Sequence, residues 1–358
     1  MRVLNNIYSL LEKAIAGQRL SFDEGTALMK SNDLLVLGKA ADLIRQRLHP
    51  ERQVTFIIDR NINYTNICQC RCKFCAFHRD EEAPDAYIIS REELFKKIEE
   101  TIAVGGTELL IQGGIYSKLR LDYYLEMLKD IKSNFNIHIH SFSPPEVMHM
   151  VHTSGLPLKE VLLRLQAAGL DSLPGGGAEI LVDRVRKQIS PDKISWKQWM
   201  EVMTTAHSIG MKSTATMMFG HVETPEDRVL HMIRVREAQD RTGGFTAFIP
   251  WSFQPKNTQL NTPTTSGVEY LKTLAVARII LDNVPNIQAS WVTQGSKIAQ
   301  VALSFGANDF GSTMLEENVV RAAGVTYRVA MEEIIHCIKN AGFIPAQRTT
   351  DYKILRFF

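Results

Sequence analysis

The chain has 358 residues, 45% of them hydrophobic and 22% charged, with a formal net charge of +2. This is the composition of an ordinary globular protein with area enough for one α/β barrel plus extensions. The near-neutral balance, without long Lys/Arg runs, argues against nucleic acid or an anionic membrane as principal partner. The first seventeen residues form an amphipathic pattern rather than a signal peptide, and no stretch of 18 apolar residues occurs. A cytoplasmic location is therefore expected.

In chain order, residues 1–50 read as helices only, with Ser21 as an N-cap. A β-branched run at 54–65 (VTFIIDRNINYT) then leads into a cysteine-rich loop. Helix 91–106 ends in glycine, strand 107–115 (TELLIQGGI) follows, and helix 121–135 precedes strand 137–144 (IHIHSFSP). Helices near 144–155 and 158–169 precede the short strand 170–177 (LDSLPGGG). Three further helix-then-strand units follow: 198–210 with 212–220, 225–243 with 245–254, and 267–281 with 287–292. Helix 296–307 precedes the short strand 309–313. Eight strands alternating with helices predict a parallel (β/α)₈ barrel of the TIM type over 51–320. The helical extension 1–50 precedes it, and a C-terminal helix and tail, 321–358, follow it.

A barrel of this kind carries its chemistry at the C-terminal ends of its strands, and the unusual residues fall there. Four of the five cysteines lie between 68 and 75. Such clustering in a cytosolic chain suggests metal or cluster ligation rather than a disulfide framework. The isolated Cys337 reads as a buried structural thiol. Cys68, Cys72 and Cys75 form Cys-x₃-Cys-x₂-Cys. Three thiolates can hold three irons of a cubane and leave the fourth open. Structural zinc, with His78 or Cys70 as fourth ligand, is the competing reading.

The loop, with Phe74 before its last cysteine, resembles that of the radical S-adenosylmethionine (SAM) superfamily. The resemblance implies a [4Fe–4S] cluster on Cys68, Cys72 and Cys75. It also implies SAM chelating the open iron, with Phe74 and Phe77 beside its adenine. Gln112, Gly113 and Gly114 resemble the superfamily's glycine motif near the methionine amino group. Ser141 and Glu179 are further candidates to touch the cofactor. His140, Trp251, Gln254 and Trp291 are candidates for substrate, the tryptophans as flat walls for an aromatic ring. His221 and Glu223 are candidate proton acceptors. Each also has a plainer reading, as core, turn or helix-start residue.

The likeness extends through IHIHSFSPPE, LDSLPGGGAEILVDRVR, TATMMFGHVETPEDR, GGFTAFIPWSFQP and GANDFGSTMLEENV. These stretches resemble the futalosine-cyclising branch of the superfamily, which serves menaquinone biosynthesis. That branch implies hydrogen removal from ribose C4′ of dehypoxanthine futalosine and addition of the carbon radical to the substrate's benzoate ring. A reduced flavodoxin or ferredoxin-type donor would supply the electron. Sister enzymes forming aminofutalosine or a deazaflavin share the loop and much of the barrel. His78 departs from the Tyr common at that position.

Overall fold

The computed structural model describes residues 2–358. Its strands are β1 (Gln53–Ile57), β2 (Asp59–Asn63), β3 (Glu108–Gln112), β4 (His138–Ser141), β5 (Ser172–Leu173) and β6 (Lys212–Phe219). There follow β7 (Phe245–Ser252), β8 (Asn286–Ile287), β9 (Asp309–Ser312), β10 (Ile344–Arg348) and β11 (Ile354–Phe357). A seven-stranded parallel sheet runs from β2 to β8 in chain order, and β9 and β10 flank β1 in a second sheet. The long first strand expected at 54–65 is thus shared between two sheets. One bridge, Gln288 to Asp309, joins β8 to β9. With β1 and β2 as two halves of one stave, eight parallel staves close the ring.

Local sequence explains the alternation. Helices Pro144–Ser154, Trp196–Ser208 and Pro225–Thr242 begin on capping boxes, formed by Ser143 with Glu146, Ser195 with Gln198, and Thr224 with Asp227. Strands β3, β4 and β9 are largely buried on both faces, as parallel staves under helices are. Of the N-terminal helices α1 (Arg2–Ile15), α2 (Phe22–Lys30) and α3 (Leu34–Leu48), the last packs on helix Gly267–Ile280. Ser21 caps α2, in a box with Glu24. No helix among the described residues is long and apolar enough to cross a membrane.

The tail has a definite place. On one edge of the split stave, β10 pairs with Gln53–Phe56 and β3 with Asp59–Asn63. Beyond β10, Thr350 and Tyr352 reach the interior of the barrel.

Candidate active site

The cysteine loop is anchored mostly by backbone. Gln69 N–H donates to Ile115 O (2.9 Å), Lys73 N–H to Ile189 O (2.8 Å), and Gln259 N–H to Lys73 O (2.8 Å). Ile115 N–H points at Cys68 Sγ, 3.4 Å away. A hydrogen bond with Cys70 brings the Cys68 thiol down to about 5, and burial pushes Cys72 up to about 12. Cys70, buried beside Cys68, therefore supports its neighbour. His78 Nδ1 lies 2.9 Å from Cys75 O, closing a turn. Among the described residues no three His, Cys, Asp or Glu side chains converge on a single ion position. A cubane needs no such point, because it spreads three thiolates over three irons.

The glycine turn after β3 is pressed onto this loop. A Cβ on Gly114 would stand 2.1 Å from Ile67 O, and one on Gly113 would stand 2.5 Å from the Tyr64 ring. Gly114 thus admits the backbone just before Cys68, and Gly113 admits the Tyr64 ring. Glu146 holds the turn by accepting from Gly113 N–H (3.0 Å) and Tyr64 Oη–H (2.8 Å).

A cavity of about 280 Å³ opens inside the barrel. Gln112 and Glu179 line it on one side, Trp251 and Trp291 on another, and His140 deeper in. Glu179 sits in a left-handed conformation (φ 40°) and is paired with Lys193 (3.0 Å) and Arg186 (3.4 Å). Lys193 also lies over the Phe74 ring, 5.1 Å from its centroid, and so connects the cavity to the cysteine loop. Trp291 Nε1–H donates to Ser312 O (2.8 Å), which orients its ring. His140 Nδ1 and His138 Nε2 share the Ser172 hydroxyl, at 2.6 and 2.7 Å. Burial pulls His140 down to about 4, so it is neutral at pH 7.

Other candidates lie elsewhere. Ser141 has the strand parity of Ile139 rather than His140, faces away from the cavity, and donates to Ile111 O (2.8 Å). Gln254 folds back onto Ser252, donating to its carbonyl (3.1 Å) and hydroxyl oxygens (3.2 Å). Phe77 lines a separate polar cleft with Asn63, Tyr87 and Lys97.

His221 and Glu223 lock a loop instead of facing a reactant. Their side chains are fully buried, with Nδ1 3.0 Å from Glu223 Oε2. Glu223 also accepts from Gly220 N–H (2.6 Å), His221 N–H (2.9 Å) and Arg228 Nε–H (2.8 Å). Burial would raise its carboxyl, but the His221 hydrogen bond and the Arg228 charge prevail and hold it at about 2. A carboxylate so stabilised is a poor base.

Residues 62–234 match the radical SAM superfamily, and residues 242–357 match the CofH/MqnC C-terminal region. A cyclic dehypoxanthine futalosine synthase of Halalkalibacterium halodurans is 49% identical over 99% of this chain and 96% of its own. The chain belongs to the radical SAM superfamily. It is an enzyme that uses a [4Fe–4S] cluster and SAM, and it shares the CofH/MqnC C-terminal region. The Streptomyces coelicolor cyclic dehypoxanthine futalosine synthase is 43% identical, covering 98% of this chain and 89% of its own. A 5-amino-6-(D-ribitylamino)uracil–L-tyrosine 4-hydroxyphenyl transferase of Methanopyrus kandleri is 42% identical, covering 99% and 98%. Among solved structures, the FeFe-hydrogenase maturase HydG from Carboxydothermus hydrogenoformans superposes with a TM-score of 0.77 at 16% identity, over 97% of this chain and 81% of that one. Methylornithine synthase superposes with 0.74 at 18% identity, over 94% and 97%. These two likenesses show that the three chains share one fold.

Five residues facing the cavity escaped the sequence reading, Asp59, Glu108, Arg348, Thr350 and Tyr352, as did Lys193, which pairs with Glu179 at its wall. Glu108 had a signal, as a charge directly before the apolar run Leu109–Ile111; Asp59, followed by Arg60 and Asn61, had none.

Proposed function

We propose that this chain is a cyclic dehypoxanthine futalosine synthase of menaquinone biosynthesis, working in the cytoplasm with a reduced flavodoxin or ferredoxin-type electron donor. The observation that carries this reading is the 49% identity to the Halalkalibacterium enzyme along 99% of the chain. The cavity supports it, being large enough for a small molecule and walled by two tryptophans suited to an aromatic ring.

Cys68, Cys72 and Cys75 would hold the cluster, with Gln112 and Glu179 beside the SAM. When bound, cluster and SAM supply a 5′-deoxyadenosyl radical that takes the hydrogen from the substrate's ribose C4′. Trp251 and Trp291 hold the benzoate ring where C4′ can add to it, converting a chance encounter into an oriented intramolecular attack. With SAM consumed as methionine and 5′-deoxyadenosine, the cyclised ring would regain aromaticity by releasing one proton and returning one electron to the cluster that had supplied one to SAM. The closed barrel excludes water from the carbon radical.

The test is an anaerobic assay of reconstituted, reduced protein with SAM and dehypoxanthine futalosine, read by mass spectrometry. Release of 5′-deoxyadenosine with a product two hydrogens lighter is expected. Release without any change in substrate would redirect the assignment to the ribitylaminouracil–tyrosine transferase reaction of the 42% relative. Cys72→Ala should abolish SAM cleavage while circular dichroism stays unchanged. Retained cleavage would exclude Cys72 as a ligand.

A further inference from the structure

Two carboxyl groups meet at the inner end of the cavity, where the mechanism above uses neither. Asp59 on β2 and Glu108 on β3 are cross-strand partners in register. Both line the cavity, and they are only 4% and 5% exposed. The next rungs outward on the same face pair Asn61 with Leu110, then Asn63 with Gln112. Two residues advance a strand by about 6.6 Å, so the carboxyl rung lies roughly 13 Å inward of Gln112.

Like charges directly opposed across strands repel, and a buried unpaired carboxylate is costly. Burial, reinforced by the charge of Glu108, pushes Asp59 up to about 8. The nearest cation does not neutralise the pair by contact, because Arg348 is bonded to Asp309 at 2.5 and 3.2 Å. Two hydroxyls donate to the pair, Ser312 to Asp59 and Thr350 to Glu108, the latter at 2.5 Å. Two carboxyl groups, even with Asp59 protonated, offer more acceptor positions than two hydroxyls fill. The remainder opens on the cavity, where Asn61 and the unpartnered Tyr352 hydroxyl are the polar groups beside it. A ligand group satisfying this floor must donate hydrogen bonds and carry no negative charge, as an alcohol does and a carboxylate does not.

We propose that Asp59 and Glu108 anchor the hydroxyls of the substrate's sugar-derived end, pointing its C4′ toward the mouth of the barrel and turning its benzoate carboxylate away from the floor. This assignment rests on the functional reading above and deepens it. The two residues act as a specificity and positioning pair.

The test measures equilibrium binding by calorimetry, under anaerobic conditions, on cluster-loaded, SAM-loaded and unreduced enzyme. The probes are dehypoxanthine futalosine and an analogue lacking one ribose hydroxyl. Glu108→Gln and Asp59→Asn should each weaken binding of the full substrate at least tenfold. The analogue should bind the unaltered enzyme about tenfold more weakly, yet lose little further in Glu108→Gln. Full-strength binding by either folded variant would overturn the anchor. So would equal binding of substrate and analogue to the unaltered enzyme, a measurement that stands even if the variants fail to fold. If the unaltered enzyme binds no dehypoxanthine futalosine yet still releases 5′-deoxyadenosine on reduction, the functional reading itself falls, and the anchor with it.

Discussion

Gly114 has no room for a side chain, because its missing Cβ would overlap the backbone oxygen of Ile67 one residue before the first cysteine. Backbone cannot rotate aside as a side chain can, so Gly114→Ala must displace either the glycine turn or the cysteine loop. Overpacking of this kind costs about 1–3 kcal/mol. Gly114→Ala should therefore lower the melting temperature by several degrees and reduce the iron bound per chain after reconstitution. Iron content equal to that of the unaltered protein would show that the turn does not shape the loop. The same scale explains a misplaced expectation. Ser141, expected to touch the cofactor, is sent by strand alternation to the face opposite His140 and away from the cavity.

At the scale of elements, the tail completes the barrel. β10 lies along the part of the split stave that β3 leaves free, and Arg348 at its end reaches Asp309 on β9, which also accepts from Thr55 at 2.5 Å. Both partners are buried, with side-chain exposures of 6% and 0%. Removing one member of a buried ion pair strands the other charge and costs about 3–5 kcal/mol. Arg348→Met should show a loss of this size in urea unfolding, whereas a loss below about 1 kcal/mol would mean that the tail is dispensable for closing the barrel. Deleting 349–358 removes Thr350 and Tyr352 from the cavity floor. With water admitted there, 5′-deoxyadenosine should be released in excess over cyclised product, as liquid chromatography would quantify. An unchanged ratio would deny the tail any part in sealing the cavity.

For the whole molecule, the buried carboxyl rung makes stability depend on pH. Asp59 is raised from an ordinary 3.8 to about 8, so the folded chain keeps a proton that the unfolded chain has released between those limits. More protons bound in the folded state means that stability falls as pH rises through this window. The groups facing Asp59 are Glu108 from β3, Ser312 from β9, His140 from β4, and Arg348, Thr350 and Tyr352 from the tail. Of these, His140 is already neutral above about 4. Asp59→Asn has no such proton to lose. Its urea midpoint should gain on that of the unaltered chain between pH 5 and pH 8, and a constant difference would contradict the assignment.

Local sequence determined the cysteine spacing, the helix caps and the alternation of strand with helix, because these depend on residues a few positions apart. They were enough for the barrel, the cluster loop and the superfamily. Register and closure were decided only in three dimensions. Asp59 opposes Glu108 because β2 and β3 pair in one register out of several that a stretch of nearly fifty residues allows. The tail lines the cavity because β1 leaves an edge open to it. His221 and Glu223 have the residue types of a base, but their surroundings spend every acceptor on a loop. Such facts depend on contacts between distant segments, and no pattern within one segment encodes them.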